Sequence, residues 1–382
     1  MRMIPRSSTI GIGGASAISH ACPPHALDFS MRRPVSTALF GFALYAASMS
    51  HATAASGAAF FEQDAFMACD NTGTCRIAAF GPLAPLMLGM LIERAAGPQT
   101  AVTARIAMAE GAEDAPPPRS ATVGGPQGTL RLRAKGKDLG EIGRMESQGQ
   151  DLALPDRHVP ALIEALAAGD RVELVDGMGQ AWPLSERGAG PLLLKMDEVQ
   201  GRLHTPGALV RKGAQPESKV PSAVPAPSLK APPLVVETRE DDGLLAERAD
   251  LRQLLQPVAD AKDACIQASS RRLRVERVDA SHVLAVLSCA TERYIVPAGT
   301  WLVRDRPPFS PTLVSGAALF PLPPHAVFVE EGVATGTDTC GRTRHWAWDG
   351  ARLVMSAEFV GADCVGPSHR HWQLPTYLGR MD

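Results

Sequence analysis

Short apolar runs, rather than long helical stripes, dominate the chain after residue 55. Residues 129–134 alternate strictly between apolar and polar side chains, which is the period of a strand with one buried face. Further strand-like runs occupy residues 65–69, 74–80, 86–95, 101–108, 171–175, 181–184, 272–278, 282–289, 345–348 and 351–359. The pattern predicts a mainly β protein, all-β to α+β, with a few short helices.

Three segments carry helical patterns instead. In the first, Asp156 stands where a cap is expected, Pro160 falls in the first turn and Gly169 ends the helix. The second is a short helix over residues 192–199. The third is a helix over residues 244–255, with four inward-facing leucines: Leu244, Leu251, Leu254 and Leu255.

Composition divides the chain into a leader, two β-rich domains and a linker. Residues 213–239 contain six prolines among Ser, Ala and Lys, a mixture that favours an extended, semi-rigid spacer. We therefore expect an N-terminal domain over residues 55–212 and a disulfide-stapled C-terminal domain over residues 240–382. A docking site for a partner is the alternative use of the Pro-rich segment.

The leader has the three-part layout of a bacterial signal peptide. Arg32 and Arg33 precede a ten-residue apolar run, and small residues follow around residues 50–54. Cleavage near Ala54 would release a soluble periplasmic protein. Residues 1–30 have no apolar core and fit an initiation site assigned too early; a disordered extension is the alternative.

Six cysteines follow the leader, an even number in an oxidising compartment, which favours disulfides over a metal site. Sequence order suggests three pairs, although other pairings stay open. The last two pairs share one separation of 24 residues, which suggests two hairpins stapled at the base. The suggested pairs are Cys69–Cys75, Cys265–Cys289 and Cys340–Cys364.

Charge and hydropathy narrow the choice of partners. The formal net charge is −2, which argues against nucleic acid because phosphate binding needs clustered cations. No segment after the leader reaches the roughly 18 apolar residues of a membrane-spanning helix. The sequence implies no cofactor. The expected partner is an unidentified envelope protein or cell-wall component.

Three stretches of the chain resemble the exported bacterial proteins of domain-of-unknown-function family 1176. They are residues 67–75 with the sequence MACDNTGTC, residues 195–202 with KMDEVQGR followed by Ala208-Leu209-Val210, and Cys340-Gly341 with the later WAWDG of residues 346–350. The N-terminal domain is also similar to proteins of the invasion-associated locus B type. The resemblance implies a periplasmic, β-rich, disulfide-bonded protein and no particular activity.

Asp197, Gln200 and Arg202 lie where the second helix should end. They would form either a polar pocket or partner surface, or a helix terminus capped by Gly201 and supported by an ion pair.

Trp346 and Trp348 would share one face of a strand. With Trp372 they would form either an aromatic binding platform or part of the core.

His345, His369 and His371 are candidate metal ligands if the fold brings them together. Histidines packed beside tryptophan at a surface strand end are the alternative.

No nucleophile elbow, zinc-protease motif or phosphate-binding loop occurs after the leader, and the sequence identifies no catalytic residue. We therefore expect a non-catalytic envelope interaction or binding protein. A hydrolase without a recognisable motif and a His-based metal-binding protein are the alternatives.

Overall fold

Strands make up 43% of the described residues and helices 17%, which confirms the mainly β fold class. A computed structural model describes residues 57–82, 86–110, 126–145, 151–233, 237–291, 295–331, 341–361 and 372–382. Within these ranges, no helix has the length and apolarity needed to cross a membrane.

The strands of the N-terminal half, in chain order, are β1 Ala58–Glu62, β2 Ala65–Cys69, β3 Cys75–Phe80, β4 Leu86–Arg94, β5 Val102–Glu110, β6 Thr129–Ala134, β7 Lys137–Arg144, β8 Leu152–Ala153, β9 Val172–Val175 and β10 Ala181–Pro183. The later strands are β11 Ser228–Leu229, β12 Ser270–Arg277, β13 His282–Ala290, β14 Ile295–Arg304, β15 Thr312–Ser315, β16 Leu319–Pro321, β17 Val327–Glu331, β18 Arg342–Trp348, β19 Leu353–Val360, β20 Leu374–Leu378 and β21 Arg380–Met381.

The helices are short. They are α1 Val159–Ala168, α2 Ala189–Val199, α3 Asp242–Glu247, α4 Ala249–Leu254 and α5 Lys262–Ile266, with single 3-10 turns at Asp156–His158, Glu217–Lys219 and Ala259–Ala261.

Two sheets and two helices build the N-terminal half. The first sheet has the order β1-β2-β3-β4-β5-β8, and the second has the order β10-β9-β6-β7. Their inward side chains, such as Ile77, Met90 and Leu132, share one core with Leu162 of α1 and Met196 of α2. Burial of this apolar surface is the main driving force for folding this half.

The opposite face of the first sheet is covered by the end of the chain. Phe66 and Phe80 pack there with Trp372 and Leu374, and the backbone N–H of Gly57 donates to Thr376 O at 2.7 Å. Strand β2 is consequently buried on both faces, which explains why its five residues are apolar without alternation.

The C-terminal half contains two further antiparallel sheets. One has the order β12-β13-β14-β15 and packs against α4 and α5 through Leu251 and Trp301. The other has the order β16-β17-β18-β19-β20 and contributes Phe328 and Trp348 to a core shared with Leu284 of β13.

The Pro-rich segment makes hydrogen bonds along its length. The backbone N–H of Val224 donates to Thr72 O at 3.2 Å, and that of Ala231 donates to Asp382 O at 3.1 Å. Strand β11, inside this segment, pairs in parallel with β21 at the end of the chain. The division into two domains at residues 213–239 stays a prediction.

The first predicted helix is confirmed, and so is its end at Gly169, which has φ 71°. Pro160 lies in the first turn, where the missing N–H has no cost. The capping assignment of Asp156 is wrong, because this residue begins a 3-10 turn and the cap position of α1 is His158.

The prediction of one helix over residues 244–255 is wrong. The backbone breaks at Arg248, which has φ −65° and ψ 120°, so α3 and α4 are separate. The break rotates the two halves relative to each other, and Leu244 and Leu254 are 65% and 52% exposed instead of facing inward. Leu251 and Leu255 are buried as predicted.

Several strands have no recognisable pattern in the sequence. Strands β15 and β16 lie in the Pro-rich stretch from 307 to 324, whose composition is typical of a loop. Prolines are tolerated there because β15 and β16 lie at sheet edges, where one row of backbone donors needs no partner.

Two of the three suggested disulfides lie in the described ranges, and both form: Cys69–Cys75 and Cys265–Cys289. The first closes the turn between β2 and β3. The second does not staple the two strands of a hairpin as expected, because Cys265 belongs to α5 and ties that helix to β13. Cys340 and Cys364 lie outside the described residues.

Candidate functional site

An open groove of about 810 Å³ runs beside α1 in the N-terminal half. One wall is the 156–158 turn and the outer face of α1, including Pro160, Ile163 and Ala167. The remaining boundary comes from residues 100–102 at the start of β5 and from the loop at 206–212. Concave, partly apolar sites of this size are where proteins usually bind ligands.

Arg94 contributes a buried cation to this groove. It is the last residue of β4, pairs with Val102 of β5, and is only 4% exposed although it belongs to the groove lining. Its Nε donates to Thr100 O at 3.2 Å and its Nη1 donates to Gly207 O at 2.8 Å. Two backbone carbonyls on different segments therefore fix the plane of the guanidinium.

Behind Arg94 lies Asp197, near the end of α2. The Arg94 Nη1 to Asp197 Oδ1 distance is 3.8 Å, and the aspartate is completely buried. The Asp197 Oδ2 atom accepts the backbone N–H groups of Leu209 at 2.7 Å and Val210 at 3.0 Å. Asp197 thus holds the loop that forms part of the groove.

Arg202 is the second buried cation and has no exposed surface. Its Nη2 donates to Thr100 Oγ1 at 2.6 Å, to Ala95 O at 3.3 Å and to Gly97 O. These three contacts pin the turn that connects β4 to β5 and carries Thr100 into the groove.

The partners of Arg202 extend the cluster to two other segments. Its Nη1 lies 3.6 Å from Glu217 Oε2 in the Pro-rich segment, and its Nε donates to Gln200 Oε1 at 3.1 Å. The Gln200 amide in turn donates to Gly73 O at 3.0 Å and to Arg94 O at 2.9 Å. We call Arg94, Asp197, Gln200, Arg202 and Glu217 the buried ion cluster.

Burial dominates the electrostatics of the buried ion cluster. It lowers the pKa of Arg94 to about 10, with the nearby positive charge of Arg202 adding to the effect. Burial likewise raises the pKa of Asp197, against the opposing hydrogen bonds from Leu209 and Val210. Within the described structure, Asp197 Oδ1 and Arg202 Nη1 are enclosed and have no hydrogen-bond partner.

The structure therefore brings together all three predicted polar residues, Asp197, Gln200 and Arg202. They lie directly behind the groove and not on an open surface. Gly201, with φ 66°, follows the helix end at Gln200, so the left-handed turn expected there is present. The predicted ion pair has different partners: Asp197 pairs with Arg94, and Arg202 pairs with Glu217.

Sequence reasoning missed Arg94 and Glu217. Arg94 follows Glu93 at the end of β4, and nothing in this pair of charged residues indicates which of them is buried. Glu217 lies in a stretch that composition assigns to a solvated spacer, and nothing local indicates its contact with Arg202.

Trp346 and Trp348 lie in the interior of the C-terminal half, not on an exposed platform. Trp348 is buried beside Phe328 and Leu284, and Trp346 packs against the same core while its Nε1 donates to Glu330 Oε2 at 2.8 Å. Trp372 belongs to a different cluster, 6.2 Å from Phe80 between ring centroids. The three tryptophans therefore do not share one surface.

His345 is half-buried on β18, with its ring centroid 5.3 Å from that of Phe359. Burial lowers the pKa of its imidazole, so it is neutral at neutral pH. His369 and His371 lie outside the described residues, so the predicted three-histidine site stays a prediction. Across the ranges that the structure does describe, no three His, Cys, Asp or Glu side chains are grouped as metal ligands would be.

The buried ion cluster makes a prediction for stability. Arg202→Met removes the buried cation that pairs with Glu217, together with the hydrogen bonds that it donates to Gln200 and to the turn between β4 and β5. We expect the free energy of unfolding to fall by about 3–5 kcal/mol, the usual effect of breaking a buried pair from one side. Urea unfolding followed by circular dichroism measures this.

The control is Arg211→Met, which removes an exposed arginine from the neighbouring loop. It should change stability by no more than about 0.5 kcal/mol. An equally small effect of Arg202→Met would show that the cluster does not stabilise the fold.

Comparison with known proteins places these features in a family. The chain matches the family described as Protein of unknown function (DUF1176) over residues 59–378. No curated protein and no solved structure matches the chain. Two of the segments that carry the resemblance meet in the structure, because Gln200 donates to Gly73 O. The chain belongs to the DUF1176 family.

Proposed function

We propose that this chain is an exported envelope protein whose N-terminal half binds a ligand in the groove beside α1. The observation that carries the proposal is the combination of an open, partly apolar groove with a rigidly held, buried arginine in its lining. Holding a charged side chain in place before the ligand arrives reduces the ordering that binding would otherwise require.

The side chains of the groove favour binding over covalent catalysis. The hydroxyl of Thr100 is engaged on both sides, donating to Ala95 O at 2.8 Å and accepting from Arg202. It therefore has no base to activate it as a nucleophile. The other charged lining groups, Asp156, Glu164 and Lys212, are spread over separate elements.

Export rests on the sequence and on compatible features of the structure. The signal-peptide layout of residues 31–54 is that of a segment that directs a chain out of the cytoplasm. Disulfides persist in the oxidising compartments outside the cytoplasm. The two described disulfides are those expected of a protein in the periplasm. Similarity to the invasion-associated locus B type stays a prediction. The proposed partner class is an envelope protein or cell-wall component.

The export proposal predicts the behaviour of a fusion. Residues 1–60 joined to a phosphatase that is active only outside the cytoplasm should give active reporter, with the new N-terminus near Ala55 by mass spectrometry. Leu44→Arg, in the apolar run, should abolish reporter activity because a charge prevents insertion of that segment.

The matched control is Ile12→Arg in the same fusion. It places the same charge upstream of Met31 and should leave reporter activity intact. Equal activity of all three fusions, or none from the unaltered one, would contradict export through this signal.

The binding proposal predicts that filling the groove abolishes ligand binding. Ala101 is exposed and lines the groove, so Ala101→Trp should occupy it without disturbing the core. Ligand-observed NMR with a fragment collection of mixed charge provides the readout. We expect fragments that bind the natural chain to lose their signals with Ala101→Trp.

Ala351→Trp is the matched control, because Ala351 is exposed in the turn between β18 and β19, outside the groove. It should bind the same fragments as the natural chain. Identical fragment binding by all three proteins would show that the groove is not the binding site.

A further inference from the structure

Strand β1 forms one edge of the first sheet and pairs only with β2 in the part of the chain that the structure describes. The N–H of Gly57, just before β1, points away from β2 and donates to Thr376 O at 2.7 Å. Backbone groups two residues apart in a strand point the same way, so those of Ala59 and Phe61 also face away from β2. Within the described ranges these groups have no backbone partner. The edge of β1 therefore offers unpaired donors and acceptors to another strand.

The sequence of β1 has none of the features that protect a sheet edge from pairing. It reads AAFFE, without a proline, a bulge or a basic residue. Every other edge strand in the described sheets is short, interrupted or charged. Two residues each make up β8, β11 and β21; Pro183, Pro321 and Pro375 interrupt β10, β16 and β20; the pairing of β7 and β15 is irregular; and β12 carries Arg271, Arg272 and Arg274.

The side chains of β1 suit a second copy of the same strand. Phe61 is 36% exposed, and its ring stacks on that of Phe66 with a centroid distance of 5.9 Å. An antiparallel register centred on Phe60 sets each Phe61 opposite the small Ala59 of the other copy. A shift of the register one way opposes the two Phe61 rings, and a shift the other way needs the N–H of Gly57, which is already donated within the chain. The register centred on Phe60 is therefore the favoured one.

Charge complementarity supports the same register. Lys195 of α2 holds its Nζ 5.0 Å from the centroid of the Phe60 ring. Glu62 lies on the same face of β1 as Phe60 and has no ion-pair partner in the described structure. In the register centred on Phe60, the second copy's Glu62 lies diagonal to Phe60 and within reach of Lys195. The existing partner of Lys195 is Glu198 at 3.0 Å on the same helix, and an exposed pair of this kind is weak enough to be shared.

We propose that β1 is a self-association surface, on which a second copy of this chain adds its own β1 in the antiparallel register, with Phe61 opposite Ala59 and Lys195 beside Glu62. The same patch is used by both copies, so a two-fold axis at Phe60 closes the contact as a dimer. No residue of this surface lines the groove beside α1. Failure of either proposal therefore leaves the other standing.

The first measurement is sedimentation velocity of the mature chain over a wide range of concentrations. We expect a dimer that dissociates on dilution. Ala59→Pro removes an outward N–H and leaves the pairing with β2 intact, because proline is tolerated where the N–H of an edge strand faces outward. It should weaken the dimer by about 100-fold or more, since one donor is lost from each copy and the proline ring blocks close approach.

Ala226→Pro is the matched control, because Ala226 lies between two prolines of the Pro-rich segment and its N–H has no hydrogen bond in the described structure. It should leave the dimer unchanged. Circular dichroism of each variant confirms that it is folded.

Charge reversal tests the register without altering the backbone. Glu62→Lys and Lys195→Glu should each weaken the dimer by about tenfold, because attraction becomes repulsion at two symmetric positions. An equimolar mixture of the two variants should recover the natural affinity, because the mixed dimer has opposite charges at both positions. Glu247→Lys, the same change at an exposed site on α3, should have no effect.

A folded natural chain that stays monomeric at every concentration would overturn the inference, including the case in which β1 pairs only with an unrelated peptide. A dimer that resists folded Ala59→Pro would exclude β1 as the interface. A dimer weakened by Ala59→Pro and insensitive to all the charge variants would overturn the register that sets Lys195 beside Glu62.

Discussion

The buried ion cluster is the interaction on which the N-terminal half depends. It joins five separate segments: the disulfide-closed turn at Gly73, the end of β4, the end of α2, the 206–212 loop and the Pro-rich segment at Glu217. Arg94, Arg202 and Asp197 are almost completely buried and Glu217 is mostly buried, so each charge needs the others to offset its lost hydration. Removing one charged residue leaves the opposite charge of its partner buried without compensation. The fold is therefore expected to tolerate few substitutions in the buried ion cluster.

The buried ion cluster fixes the segments that line the groove. Asp197 holds the loop at Leu209 and Val210, and Arg202 holds the turn at Thr100. Arg94 belongs both to the cluster and to the groove lining. A binding site made of loops gains precision when a rigid shell of hydrogen bonds fixes those loops. The groove is therefore expected to be largely formed before a ligand binds.

The pattern of the sequence predicted the elements whose position depends on neighbouring residues. Period-two alternation located β6, and Pro160 with Gly169 bounded α1, because the strand pleat and the helix ends are set by nearby residues. The single helix predicted over residues 244–255 is wrong because the backbone leaves the helical conformation at Arg248, a break that the spacing of the leucines does not indicate. Asp197, Gln200 and Arg202 were recognised as a group from their spacing. Arg94 and Glu217 were not. Arg94 contacts Asp197 and Gly207, which follow it by 103 and 113 positions, and Glu217 contacts Arg202 across a loop that no periodicity describes.

Amide hydrogen exchange at Leu209 and Val210 tests most directly whether the buried ion cluster holds the groove. Asp197→Asn removes the charge that accepts both N–H groups, whereas Glu198→Gln changes the neighbouring, exposed carboxylate. We expect exchange at both amides to accelerate about tenfold or more in Asp197→Asn, and to stay unchanged in Glu198→Gln. Unchanged protection of both amides in a folded Asp197→Asn variant would contradict the account, since the loop would then be held by other contacts.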